Sequence, residues 1–456
     1  MQSSLKIMLQ RNSKAMQYSM TAMTLGGLGC IVPMTPVLAQ KSPASAELLQ
    51  LRMSLDALKA EQRQTTIKIM AIENALASME VASEGRETYS GDDMPERPAI
   101  KPESFAQPSI LAARSDEIER KLDISGDLRL RYEINSGDKT AFDRHRQTLR
   151  ARLRASYAAT DWLTVGAQIV TGDPNDPNST DVTLSNFDDD FEVSLDQAYA
   201  TLTFGKASLT GGKFALPFSR TDMVWDGDVS PQGASAIYET SVGDSEMKVS
   251  SLYFVIDESV AGDNSRMFGG QGQVRFNAAP GLSFEAALGY YDYRLNTLSG
   301  ADSGDFRGNL VSGGRYVSDF NLLDAIAAVN WSGFDEKWPI RLVGDYVKNY
   351  GAAVADDSGY NVEIIAGRSG HSGDWRLSYG YSDVGVDAVL AAFSQDNTNI
   401  STNYQQHSFG LDYSLANKVT LQGLYYKYRR KNDTYAGSTI ADDWINRFRV
   451  NFLVGF

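Results

Sequence analysis

One cysteine and three histidines in 456 residues leave little room for thiol or metal chemistry. His145, His371 and His407 are too scattered for zinc-type spacing, so no metal is expected. His407 is followed by Ser408, but neighbours on a strand face opposite sides and no nucleophile motif surrounds them. Neither catalysis nor a cofactor is expected. Basic residues are outnumbered, 43 Lys and Arg against 57 Asp and Glu, for a formal net charge of −14. So acidic a chain lacks the basic footprint that nucleic acid requires. Long apolar runs are missing too. Without a stretch of about 18 apolar residues no membrane-spanning helix can be drawn. That exclusion does not reach a membrane β-barrel, in which only every second residue of a strand meets lipid.

What is present begins with an export signal. Lys6, Arg11 and Lys14 precede any acid, an apolar stretch runs from Met20 to Val32, and Val37-Leu38-Ala39 offers a cleavage site. A leader of residues 1–39 is therefore expected, and its removal takes Cys30 with it. Gly27-Leu28-Gly29-Cys30 is the alternative, a lipoprotein box, but it lacks a leucine three residues before the cysteine.

Residues 45–82 carry a heptad. Leu48, Leu51, Leu55, Leu58, Gln62, Thr65, Ile69, Ile72, Leu76 and Met79 recur at alternating spacings of three and four. This is a coiled-coil seam with a polar layer at Gln62 and Thr65, which predicts a parallel homo-oligomer, a homotrimer by expectation. A lone amphipathic helix lying on another surface is the other reading. Residues 83–121 lose periodicity among Gly85, Gly91, Pro95, Pro98, Pro102 and Pro108, as an extended linker does.

From Leu122 to Phe456 the period becomes two. Leu163, Val165, Ala167 and Ile169 alternate with Thr164, Gly166 and Gln168, and Trp375, Leu377, Tyr379 and Tyr381 alternate with Arg376, Ser378 and Ser382. About sixteen such segments are joined by short links, as at Gly205-Lys206-Ala207 and Val242-Gly243-Asp244, alternating with long polar ones, as at 173–190, 217–232 and 386–401. A soluble sandwich also alternates, but short turns on one side and long loops on the other is the membrane-barrel arrangement. The predicted fold is an all-β transmembrane barrel of about 16 antiparallel strands, preceded by an N-terminal α-helical coiled coil. Both ends of the barrel, the linker and the coiled coil would lie on the short-turn side.

The last segment sets Phe448, Val450, Phe452, Val454 and Phe456 on alternate positions. An apolar strand closing on an aromatic carboxy-terminus resembles the signal read by the barrel-insertion machinery, and marks Phe448, Phe452 and Phe456 as its bearers.

Two groups of residues could act in the interior. Arg144, Arg146, Arg150, Arg152 and Arg154 share one parity on the second strand, and Arg129 and Arg131 share one on the first. A charge facing lipid at mid-membrane costs about 2–4 kcal/mol, so these faces must turn inward. They would either form a guanidinium ladder lining a pore, or pair with Asp127, Glu133 or Asp196 and stiffen the wall. Loop 217–232 carries Asp222, Trp225, Asp226, Gly227 and Asp228, which would either fold inward as a constriction opposite the arginines or remain an external acidic tip. Asp173, Asn175, Asp176, Asn178 and Asp181 have some calcium-ligand character without an EF-hand's spacing, and that loop also suits a clasp on a neighbouring protomer.

Several stretches resemble the Gram-negative outer-membrane family known as "putative porins". They are Gly126-Asp127-Leu128-Arg129-Leu130-Arg131-Tyr132-Glu133, the arginine strand 144–154, Thr171-Gly172-Asp173, Asp196-Gln197-Ala198-Tyr199, Thr210-Gly211-Gly212-Lys213-Phe214 with Pro217-Phe218, and Asp222 to Asp228. The resemblance is strongest in the first third of the barrel. It implies a porin in the outer membrane, surrounded by lipid, passing small hydrophilic solutes or ions passively. A structural tether is the alternative, with the coiled coil joining the barrel to peptidoglycan or another envelope partner.

Overall fold

A computed structural model describes residues 121–456 apart from 137–142, 186, 188–189, 261, 297–307, 334 and 436–443. The expected leader, the coiled-coil seam and nearly all of the linker lie outside the described residues.

Sixteen long strands follow one another. They are β1 (Leu122–Ser136), β2 (Arg144–Thr160), β3 (Leu163–Thr171), β4 (Val193–Phe204), β5 (Ala207–Lys213) and β6 (Gln232–Val242). Next come β7 (Ser245–Asp257), β8 (Ser265–Ala279), β9 (Leu282–Arg294), β10 (Asn321–Trp331) and β11 (Ile340–Asn349). The last are β12 (Ser358–Gly367), β13 (Trp375–Val384), β14 (Tyr404–Ala416), β15 (Val419–Arg430) and β16 (Ile445–Gly455). Each pairs antiparallel with its neighbours in sequence, and β1 pairs with β16 from Asp127↔Gly455 to Ser136↔Asn446, which closes the barrel. Closure removes both free edges, so the ladder groups of the first and last strands pair with each other instead of with water. The segment Val182–Thr183 adds two residues of pairing to β2 at Leu149 and Thr148.

Local chemistry explains the links. Gly205 and Gly243 take the positive φ values, 61° and 59°, that two-residue hairpins require. The long links 172–192, 214–231, 295–320 and 385–403 all leave from the opposite end.

The two faces are inverted relative to a soluble protein. Leu153, Val165, Leu288, Leu377, Phe409, Leu421 and Phe452 are exposed on the outside, as are Phe448 and Phe456. The wall's inner face is largely polar, with Arg131, Glu133, Gln168, Asp324, Asp345, Asp412, Arg447, Arg449 and Asn451 buried. A bulge at Gln168/Ile169 against Leu195/Gln197 gives Asp196 and Gln197 adjacent places where strict alternation would separate them. Among the described residues, an apolar core lies inside the barrel, around Trp225, Phe218, Tyr291, Tyr293, Phe254 and Phe393.

Candidate functional site

The site is built on the seam of β16, β1 and β2. Register sets Asp127 opposite Arg152, Arg129 opposite Arg150, Glu133 opposite Arg146 and Asn135 opposite Arg144. On the other side of β1, Arg131 faces Asn451, Glu133 faces Arg449 and Asn135 faces Arg447. One parity along three strands thus gathers the arginines on the inner wall, with Leu128, Leu130 and Tyr132 on the outer.

Most of these guanidinium groups are paired. Arg129 and Arg131 both hold Asp181, at 2.6 and 2.7 Å. Glu133 is fully buried and receives Arg449 Nε at 2.6 Å and Arg146 Nη2 at 3.0 Å, with Arg447 at 3.9 Å. Asp127 binds Arg150 at 2.9 Å and Arg152 at 2.7 Å. Arg154 donates twice to Gln168 Oε1, at 3.1 and 2.6 Å. Arg144 stands exposed at the end of β2. Pairing with Asp127 and Glu133 and exposure to the lumen therefore coexist: Arg146 and Arg152 keep about a quarter of their side-chain surface open (24% and 25%). Asp181 comes from link 172–192. Burial works against its charge, but Arg129 and Arg131 outweigh it and hold the carboxyl below the usual carboxylate range. Its two oxygens are thus engaged by cations of its own barrel.

Link 214–231 folds inside. Phe214 N donates to Pro231 O at 3.0 Å and closes the neck. One end of the link is fixed to β8, where Gln271 exchanges two hydrogen bonds with the Ser219 backbone at 2.7 and 2.8 Å. Thr221 donates to Asp345 on β11. The far end reaches the arginine wall, where Asp228 accepts from Arg152 at 2.8 Å and lies 3.7 Å from Arg150. The link therefore crosses the lumen, and Asp228 touches the arginines directly instead of facing them across water. Asp222 pairs with Arg220 at 2.7 Å and accepts from Asn397 at 3.3 Å. Trp225 has no exposed surface. Asp226 is enclosed as well: burial, then the charges of Asp396, Asp222 and Asp228, push its carboxyl well above the usual range.

A second inward link, 385–403, meets the first. Phe393 stacks on Trp225 with centroids 5.9 Å apart and 16° between planes, and its carbonyl accepts from Asp226 N at 2.8 Å. Val386 to Ser394 are all buried. Asn309 anchors them by donating to Val386 O at 2.9 Å and Val389 O at 3.0 Å, while Asp387 accepts from Ser318 Oγ at 2.6 Å. The link also reaches the basic wall, since Asn397 accepts from Arg447 through its carbonyl at 2.9 Å and from Arg449 through its side chain at 3.1 Å.

Below these links, towards the short turns, the inner wall carries further charge. Arg341 pairs with Glu285 at 2.9 Å, Arg376 with Asp412, and Lys213 lies 3.7 Å from Asp196. The arginines expected from sequence to line the interior do not include Arg341, Arg376, Arg447 and Arg449. The signal was available, because each sits between lipid-facing residues, as Arg341 does between Ile340 and Leu342 and Arg449 between Phe448 and Val450.

Comparison with solved structures bears on the fold. The high-pH structure of Pseudomonas putida OprB superposes with a TM-score of 0.51 at 13% identity, covering 75% of this chain and 96% of that one. An anion-selective porin from Comamonas acidovorans gives 0.48 at 14% identity over 74% and 99%, and Salmonella typhi OmpF in complex with daunomycin gives 0.47 at 13% over 74% and 97%. No curated protein matches the sequence. The family resemblance is carried by residues 134–307, which match the family described as "Putative porin".

Proposed function

We propose that this chain is an outer-membrane porin through which small hydrophilic solutes or ions diffuse passively, without catalysis or cofactor. The observation that carries the reading is the inversion of faces in a closed barrel: apolar side chains outside, a charged wall inside, and a loop set across the lumen. A lipid-facing outside and a wet inside are what a pore in a bilayer needs. In this reading Arg129, Arg131, Arg144, Arg146, Arg150, Arg152 and Arg154 line the solute path, joined by Arg447 and Arg449. Asp222, Trp225, Asp226 and Asp228 belong to the constriction, which the link 385–403 completes.

The proposed assembly is a homotrimer, with residues 45–82 as a periplasmic coiled-coil stalk. Its support is the heptad seam together with the tip of link 172–192, where Leu184, Phe187 and Phe191 are exposed and Phe187 is wholly uncovered. Apolar residues so displayed suit contact with a neighbour. Deleting residues 45–82 tests the stalk, because trimers surviving unchanged on a native gel would remove its role in assembly.

Liposome swelling tests the pore. Vesicles holding the protein are expected to swell in isotonic small sugars and not in sugars too large to pass. Absence of swelling with every solute would favour the second reading, a structural tether to peptidoglycan or another envelope partner. That reading draws on the complete burial of Trp225 and Val386 to Ser394 inside the lumen.

A further inference from the structure

The outer face changes character at one level across four strands. Outward residues on β15 run Leu421, Gly423, Tyr425 and then Lys427 and Arg429. On β14 they run Leu411, Phe409 and then His407 and Gln405, and on β16 Phe452, Val450, Phe448 and then Asn446. Register makes Tyr381, His407, Lys427 and Asn446 one row, and Asp383, Gln405 and Arg429 the next. This is the end from which the long links leave. A cation on the lipid side is costly at mid-membrane and costs about 0–1 kcal/mol near the interface. The rows therefore lie at head-group depth, which the neighbouring Trp444 also suits.

The patch is held in place. Lys431 Nζ binds Asp383 at 2.6 Å, Gln405 Nε2 takes that carboxylate's other oxygen at 2.8 Å, and Arg429 donates to Gln405 Oε1 at 3.0 and 2.8 Å. Lys427 and Arg429 both lie over the Trp444 ring, at 5.4 and 4.8 Å from its centroid. Lys431 alone binds that carboxylate, Arg429 is tied to it only through Gln405, and Lys427 has no acidic partner among the described residues. Elsewhere on the same belt Lys348 is matched by Asp357 and Arg294 by Asp292.

We infer that Lys427, Arg429 and Lys431, with Trp444 beneath them, form a docking site for the phosphorylated head group of an outer-leaflet lipid. Guanidinium and ammonium groups fixed side by side match phosphate oxygens, and the apolar strand surface directly below receives the acyl chains. The inference rests on the outer-membrane reading above.

Delipidated protein in detergent provides the test, titrated with bisphosphorylated lipid A, the same lipid dephosphorylated, and inorganic phosphate. Bisphosphorylated lipid is expected to bind at least about tenfold more tightly than the dephosphorylated form. That preference should vanish in K427Q/R429Q/K431Q and persist in the charge-keeping K427R/R429K/K431R. Equal affinity for both lipids, a preference surviving in the glutamine variant, or equal stabilisation by inorganic phosphate would overturn the site. Fractionation separates the two claims. Wild-type protein absent from the outer membrane overturns the location as well, whereas correct location with an unchanged lipid preference in the glutamine variant overturns the patch alone.

Discussion

Trp225 and Phe393 stack face to face at 5.9 Å, and through that contact two links far apart in sequence close on each other within the barrel. Truncating a buried aromatic of this kind costs about 3–5 kcal/mol. Trp225→Ala is expected to lower the unfolding temperature and to raise single-channel conductance, because the stack holds both links in the lumen. An unchanged conductance would place the narrowest point elsewhere.

Asp228 sits between Arg150 and Arg152, so its charge offsets theirs where the link meets the wall. Asp228→Asn should move the reversal potential in a salt gradient towards anions. Replacing Arg150, Arg152 and Arg154 with glutamine should move it towards cations. Two shifts of the same sign, or none, would return these side chains to a purely structural role.

Glu133 and Arg449 are both fully buried and 2.6 Å apart. Removing one partner of a buried ion pair leaves an uncompensated charge and costs about 3–5 kcal/mol. Arg449→Gln is expected to destabilise the barrel strongly in denaturant titrations, and the E133Q/R449Q double variant less than the two single losses together. Simple additivity would show that the pair is not coupled.

Asp226 predicts a pH dependence. Burial and the acids Asp396, Asp222 and Asp228 raise its folded-state value above that of the unfolded chain. The folded protein therefore holds a proton that the unfolded chain has already released, and stability falls as pH rises from about 4 through the raised value. Thermal melts should show Asp226→Asn losing less stability than wild type over that interval. Parallel curves would mean that the site does not bind a proton preferentially when folded.

The barrel was legible because its physics is local. Alternation at Leu163–Ile169 and Trp375–Tyr381 assigns each residue a face, and the cost of a charge in lipid then turns Arg144–Arg154 inward. Arg447 and Arg449 obey the same rule, since they alternate with Phe448 and Val450 on the final strand. The meeting of the two inward links was harder to see. Val386 to Phe393 is an apolar stretch within a long link, and its need for cover was a usable signal, but nothing local names Trp225 as the cover. The pairing of Asp181 with Arg129 and Arg131 depends on how link 172–192 returns over the barrel, which no spacing encodes. The bulge at Asp196 likewise breaks the parity that the remaining strands keep.

Recording from purified protein in a planar lipid bilayer tests the pore most directly. The account predicts discrete, reproducible steps of ion conductance that enlarge when Trp225 is truncated. A bilayer that stays electrically closed at every protein concentration, with wild type and Trp225→Ala alike, would contradict it.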